Sequence, residues 1–301
     1  MLKKLQSYFP TSILVNLPPQ SSFDQYFWIK DTKDEPIWLG IPKNDIQDEQ
    51  IELLSTLFEV VDSQPSFQLT EGEKQWQKFL FHEGTPPTNT GNEIRLIHYH
   101  ISTKKDDSSD WDKALREFFL DSMFIQIDER SGIIILDKTN LVYGEDDFYS
   151  ISTTLENDFF IRIEFYIGKK RSTPQEIREA FFLERELFIE GLTLLAQERI
   201  FTYEKIFPSL SAASLPAIPK KLLETDVIDI LRKDSELLES MKVFLENNSN
   251  TSLAAKKLYI HRNTLQYRLE KFTDLTGINV KTFNSAVTIY LACLMAERTK
   301  A

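Results

Sequence analysis

One cysteine, nine glycines and twelve prolines among 301 residues are low counts, and each closes off a class of architecture. The lone Cys293 excludes a disulfide framework and a cysteine-based zinc site, and it fits a reducing compartment. So few glycines and prolines exclude a collagen-like or low-complexity chain. Long apolar runs are missing too. The longest uncharged apolar-leaning run, Thr282 to Ala296, is too short to span a bilayer and is dotted with Thr, Asn, Ser and Tyr. Near the start, Ile13-Leu14-Val15 is the one apolar centre and is broken by Asn16 and Pro18, so no signal peptide is expected. There is no phosphate-binding glycine loop, nucleophile elbow or Ser/His/Asp arrangement. What is present is 42% hydrophobic and 27% charged residues, which argues against disorder over most of the length. The chain is long enough for two or three domains with cores of their own. The expectation is a soluble, cytoplasmic protein with no membrane partner.

The net charge of -11 argues against a polyanionic partner until it is divided along the chain. From Lys220 onward there are 13 Lys and Arg against 10 Asp and Glu; the preceding residues carry 22 against 36. Between Ser249 and Lys281 the basic residues Lys256, Lys257, Arg262, Arg268, Lys271 and Lys281 are opposed only by Glu270 and Asp274. A basic island on an acidic chain suggests that the island alone meets a polyanion.

Two stretches read as boundaries. Gly84-Thr-Pro-Pro-Thr-Asn-Thr-Gly91 is polar, has adjacent prolines and shows no hydrophobic period. Pro208 to Pro219 holds several prolines and reads as a hinge. The segments become 1–84, 92–207 and 220–301. In the first, strand candidates at Ser12–Leu17, Gln25–Lys30 and Pro36–Ile41 accompany helices over Asp48–Val61 and Glu71–Phe81, a small α+β input domain. The middle segment alternates: strand Glu93–Ile101, helix Asp110–Leu120, a hairpin of Met123–Asp128 and Gly132–Leu136, helix Glu145–Asn157, strand Phe159–Ile167, a helix from Pro174 to about Gln197 and a short strand Arg199–Tyr203. That order implies helices over a mixed sheet.

This element order, with the Ile167-Gly168 strand end followed five residues later by a long helix, resembles the degenerate GGDEF-like domain in the middle of PucR/CdaR-type transcriptional regulators. The resemblance implies that the hairpin is where a diguanylate cyclase would carry paired glycines to admit a nucleotide and acids to hold magnesium. Here the hairpin reads Asp128-Glu129-Arg130-Ser131-Gly132, without the double glycine. Cyclase activity is therefore expected to be lost.

The last segment carries the sharpest signal. Leu237, Leu238, Met241, Phe244 and Leu245 mark an amphipathic helix over Glu236–Asn247. Asn250 or Thr251 can cap a short helix, Ser252–Leu258, and a third helix runs from about His261 to Phe272. This is helix-turn-helix spacing: Ala254 and Ala255 allow a close crossing, and Leu258, Ile260 and Leu265 form the core beneath the turn. The turn lacks the usual glycine and holds Tyr259 instead. The third helix presents Arg262, Asn263, Gln266, Tyr267 and Arg268. Arg reads guanine bidentately, and Asn and Gln read adenine. Thr264, Arg268 and Lys271 suit phosphate contacts. With His261 at the helix start, these residues make up the candidate DNA-binding set.

Ala254-Ala255, Leu258-Tyr-Ile-His-Arg-Asn-Thr-Leu265, Tyr267-Arg268-Leu269 and Leu275-Thr-Gly277 are similar to the C-terminal DNA-binding domain of the PucR/CdaR family. The two resemblances together cover roughly two thirds of the chain. They imply a multidomain α+β regulator of transcription with a catalytically silent middle domain, an all-α DNA-binding end and no catalytic residue, metal or cofactor. The partners implied are double-stranded DNA, a second copy of the chain, and a small-molecule or peptide effector. The first 84 residues do not match the sugar-diacid sensor of some members, so the family's ligand classes do not transfer. The alternative is a nucleotide-binding signalling protein whose last segment is a helical protein-interaction module.

Other signals carry less. His98 and His100 share one face of a strand, a spacing that can bind metal, but no nearby Cys or Glu-x-x-His supports it, and a packed face or pocket wall is the simpler reading. Asp106-Asp107 and Asp146-Asp147 read as loop and helix-start charges. Cys293 reads as buried. Phe283–Glu297 has an apolar surface wide enough either to close its own domain or to pair with a second copy.

Overall fold

The computed structural model describes residues 2–15, 19, 25–30, 37–61, 70–81, 85, 87, 93–103, 110–120, 122–128, 130–137 and 143–298. Most of the 84–91 linker, Asp106-Asp107 and Glu129 fall outside them. The fold is α+β with an all-helical C-terminal region, and it divides into two compact units: residues 1–186 with 199–201, and residues 187–198 with 202–301.

The first unit opens with α1 (Leu2–Leu5), β1 (Ile13–Val15), β2 (Tyr26–Lys30), β3 (Trp38–Pro42), α2 (Asp48–Leu57) and β4 (Glu59–Val61). The four strands form an antiparallel sheet in the order β1-β3-β2-β4. Alternation places Phe27, Ile29, Leu39 and Ile41 on one face, packed on Leu2, Phe9, Ile46, Leu54 and Phe58. The expected helix over Asp48–Val61 is shorter than its periodicity suggested. Phe58 is extended (φ -134°, ψ 157°), and the β-branched pair Val60-Val61 continues as a strand opposite Ile29 and Trp28.

Next come α3 (Glu71–Phe81), β5 (Ile94–Thr103), α4 (Asp110–Phe118), β6 (Met123–Gln126), β7 (Ser131–Asp137), α5 (Glu145–Phe159), β8 (Arg162–Arg171), α6 (Pro174–Leu194) and β9 (Ile200–Phe201). The second sheet has the order β6-β7-β5-β8-β9, antiparallel except for the β8–β9 pair. One face, with Ile97, Tyr99, Ile101, Ile134, Leu136 and Phe165, packs on Trp111 and Leu115 of α4 and on Phe148, Ile151 and Leu155 of α5. The opposite face, with Ile94, Leu96, Ile125, Ile133 and Ile135, packs on Trp76, Phe79 and Leu80 of α3 and on Ile177 and Phe181 of α6. So α3, which sequence places in the first segment, covers the second sheet.

Glu73 locks α3 in place. Thr70 and Glu73 form a capping box: the Thr70 N–H donates to Glu73 Oε2 at 2.8 Å, and the Glu73 N–H donates to Thr70 Oγ1 at 3.3 Å. Glu73 Oε1 accepts from Arg116 Nη1 at 2.9 Å and from the Phe124 N–H at 3.1 Å, tying α3 to α4 and β6. Burial pushes this carboxyl up, but the bonds from Thr70, Arg116 and Phe124 outweigh it and hold it below its ordinary value.

His98 and His100 point to the α6 side of β5. His98 is buried and stacks on Phe181 with ring centroids 6.0 Å apart; its Nε2 lies 3.8 Å from a carboxylate oxygen of the buried Glu184. Burial, aided by the Arg185 charge, drives the imidazole down to about 3, and burial pushes the Glu184 carboxyl up to about 7. His100 Nδ1 faces Ser131 Oγ at 3.2 Å. Among the described residues no group of three His, Cys, Asp or Glu side chains is placed to hold a metal ion.

The second unit continues with α7 (Tyr203–Ala213), α8 (Ala217–Leu223), a π-helical turn (Glu224–Ile228), α9 (Asp229–Lys233), α10 (Ser235–Glu246), α11 (Thr251–Lys257), α12 (Arg262–Thr276) and α13 (Phe283–Arg298). The Pro208–Pro219 stretch, expected as a hinge, is the end of α7 and the start of α8, with a break only at Ser214–Pro216. Pro216 caps α8 and Pro219 lies in its first turn, where a missing N–H costs nothing; Pro208 sits inside α7, which Ile206 and Ala212 anchor in the core. One core joins Val227, Leu231, Met241, Phe244, Leu265, Leu269 and Phe272 with Ile289, Ala292 and Cys293 of α13. Burial pushes the Cys293 thiol up to about 12. Among the described residues no helix is long and apolar enough to cross a membrane.

Candidate nucleic-acid interface

The geometry of α11 and α12 follows from local chemistry. Asn248 and Ser249 turn the chain with φ 55° and 58°, and the Asn250 side chain then caps α11, accepting from the Ser252 and Leu253 N–H groups at 3.1 and 3.0 Å. Ala254 and Ala255 are buried, as a close helix crossing requires. The end of α11 is a Schellman motif: the Ile260 N–H donates to the Ala255 carbonyl at 3.0 Å and the Tyr259 N–H to the Lys256 carbonyl at 3.2 Å. Tyr259 fills the left-handed position with φ 55°, a conformation that costs a non-glycine residue roughly 1–2 kcal/mol. That is how the turn closes without glycine. His261 then caps α12, its Nδ1 accepting from the Asn263 N–H at 3.3 Å, and Gly277 ends the helix with φ 70°.

Along α12, Leu265, Leu269 and Phe272 are buried, so the helix turns Asn263, Tyr267, Glu270 and Asp274 outward. His261, Arg262, Asn263, Thr264 and Tyr267 are exposed. Among the described residues, the side chains of Arg262, Asn263 and Tyr267 make no hydrogen bond or ion pair. Besides His261, three members of the expected set are engaged through their side chains. Gln266 Nε2 donates to Glu270 Oε1 at 2.9 Å. Arg268 donates to Ser240 Oγ at 2.9 Å and pairs with Glu236, while Lys271 Nζ reaches Asp234 Oδ2 at 2.7 Å. The Lys271 ammonium and the Leu237 N–H hold the Asp234 carboxyl below its ordinary value. Arg268 and Lys271, expected at phosphates, thus clamp α12 to α10.

This arrangement shapes the surface in two ways. The acids Glu270 and Asp274 occupy the outward face beyond the second turn, while the positive end of the helix dipole lies at the first. Lys256 and Lys257, which stand out in the sequence only by their charge, are exposed at the end of α11, immediately before the turn. With Arg262 they are exposed cations on either side of the turn.

Comparison with known proteins bears on this arrangement. Residues 237–295 match the family model of the PucR C-terminal helix-turn-helix domain. Over 266 residues the chain is 31% identical to the uncharacterized protein YxkF of Bacillus subtilis, covering 87% of this chain and 89% of that one. It is 41% identical over 64 residues to the purine catabolism regulatory protein of Bacillus subtilis, covering 21% of this chain and 12% of the relative. With the carbohydrate diacid regulator of Escherichia coli it shares 22% identity over 143 residues, 46% of this chain and 36% of the relative.

Proposed function

The chain belongs to the PucR/CdaR-type DNA-binding transcriptional regulators, and we propose that it reads duplex DNA through the first two turns of α12. The observation that carries this reading is the division of labour on that helix: Arg262 and Asn263 stand exposed and uncommitted, while Arg268 and Lys271 are tied to α10. Arg262, Asn263, Gln266 and Tyr267 reach base edges, with His261 and Thr264 at the flanking backbone. Arg268 and Lys271 orient the helix. Lys256 and Lys257 meet phosphates, so replacing both with alanine weakens binding to every sequence. It also lowers the slope of log affinity against log salt by about 2, at roughly 0.9 per phosphate contact. Titrations at several salt concentrations check this.

The functional division is 1–84 as input, 92–207 as a GGDEF-like relay and 220–301 as the DNA-binding domain, with α3 serving the relay. The relay is not an enzyme. A Cβ added at Gly132 would come within 2.2 Å of the Tyr99 hydroxyl, so a tyrosine already covers the hairpin backbone that a nucleotide would have to approach. The regulator acts in the cytoplasm and answers to a small-molecule or peptide effector. It binds as a homodimer, because one helix-turn-helix covers too few base pairs to select a promoter, and it takes an inverted repeat with half-sites a whole number of helical turns apart. Sedimentation of the full-length protein should give a dimer on such a site; a monomer, both free and on an undivided site, contradicts this.

A further inference from the structure

Tyr259 is the most exposed large hydrophobic side chain among the described residues, at 96% of its accessible surface, and it occupies the left-handed region with φ 55°. Besides Gly277, two other described residues of the second unit share that conformation, Asn248 and Ser249, and both are small polar types. Phe160, an aromatic with φ 56° in the first unit, has an interaction partner. Among the described residues the Tyr259 ring stacks on nothing, and its hydroxyl has no hydrogen-bond partner. The turn therefore carries backbone strain that glycine would remove, and nothing among the described residues repays it. Strain kept without an internal return points to a function for the side chain.

Its position says which function. Tyr259 stands between Lys256-Lys257 and His261-Arg262, in the connection that leads into the exposed first turn of α12. When the start of a recognition helix enters the major groove, the residues just before it meet the flanking sugar-phosphate backbone. A phenol suits that place, since its O–H donates to a phosphate oxygen. Its neutral charge makes its contribution separable from that of the lysines beside it.

We infer that Tyr259 is a DNA-contacting residue whose hydroxyl donates to a backbone phosphate at the edge of the half-site. The inference rests on the reading of α12 as the groove-bound helix. The contact positions the helix and carries no base preference.

The test uses the full-length protein with two fluorescein-labelled duplexes, one selected by the protein from a random pool and one of random sequence. Tyr259→Gly should raise the melting temperature, because it relieves the turn, and should lower affinity for both duplexes by about five- to tenfold. The dependence on salt should not change, since a neutral group displaces no counterion. Tyr259→Phe keeps the turn and the ring and should lose most of the same affinity. If Tyr259→Gly binds like the wild type while Arg262→Ala loses the selected duplex, the inference fails and the reading of α12 stands. If Tyr259→Phe binds like the wild type and Tyr259→Gly does not, the phosphate hydrogen bond is refuted. If Arg262→Ala also leaves binding intact, the reading of α12 fails with it.

Discussion

Alanine at Arg262 or at Asn263 is expected to cost about 1–3 kcal/mol of specific DNA binding, a drop of roughly fivefold to 150-fold in affinity, and to relax preference at one base position. The expectation follows from exposure and from lack of engagement: neither side chain makes a hydrogen bond or ion pair among the described residues, and both lie in the first turn of α12. Because they pack against nothing in the core, the variants should unfold at the wild-type temperature. Arg268→Ala should behave differently. It releases Ser240 and Glu236, loosens α12 from α10 and lowers the melting temperature together with affinity. Anisotropy titrations paired with thermal melts separate the two patterns. Equal losses of stability in all three variants would contradict the assignment.

The largest expected stability effect lies in the first unit. Glu73→Ala removes the shared acceptor of the Thr70 N–H, the Phe124 N–H and Arg116, and should destabilise that unit by about 3 kcal/mol. The sign with pH is fixed by the direction of its shift. A carboxyl held below its ordinary value in the folded state contributes stability above the ordinary carboxylate range, and that contribution is lost as the pH falls through the folded value. The gap between wild type and Glu73→Ala should therefore be widest near neutral pH and should close on acidification. Urea unfolding at several pH values measures it; a gap independent of pH would mean that the carboxylate charge contributes nothing.

Much of this was legible in the residues because local signals agreed with the fold. Leu265, Leu269 and Phe272 fall at helical spacing and are buried, and Ala254-Ala255 mark a helix crossing. The alternation of elements from Ile94 to Phe201 predicted a mixed sheet with helices on its faces, which the strand order β6-β7-β5-β8-β9 bears out. What was not legible depended on partners distant in sequence. Arg268 and Lys271 read as free cations on paper, and the sequence does not show that Glu236 and Asp234, more than thirty residues earlier, pair with them. Val60-Val61 extends a helical pattern on paper and becomes a strand because β2 offers an open edge. The prolines from Pro208 to Pro219 read as a break, since composition does not reveal that two of them sit at a helix start. For α13 both readings were open. Ile289, Ala292 and Cys293 close the domain core, while Phe283 and Val287 stay exposed.

Selection of duplexes from a random pool by the full-length protein, followed by sequencing of the bound fraction, tests the central claim most directly. The account predicts a single enriched motif with two inverted half-sites, and predicts that Arg262→Ala and Asn263→Ala each erase preference at one position within each half. Enrichment that is absent, or that is identical for the wild type and both variants, would contradict the claim that α12 reads DNA.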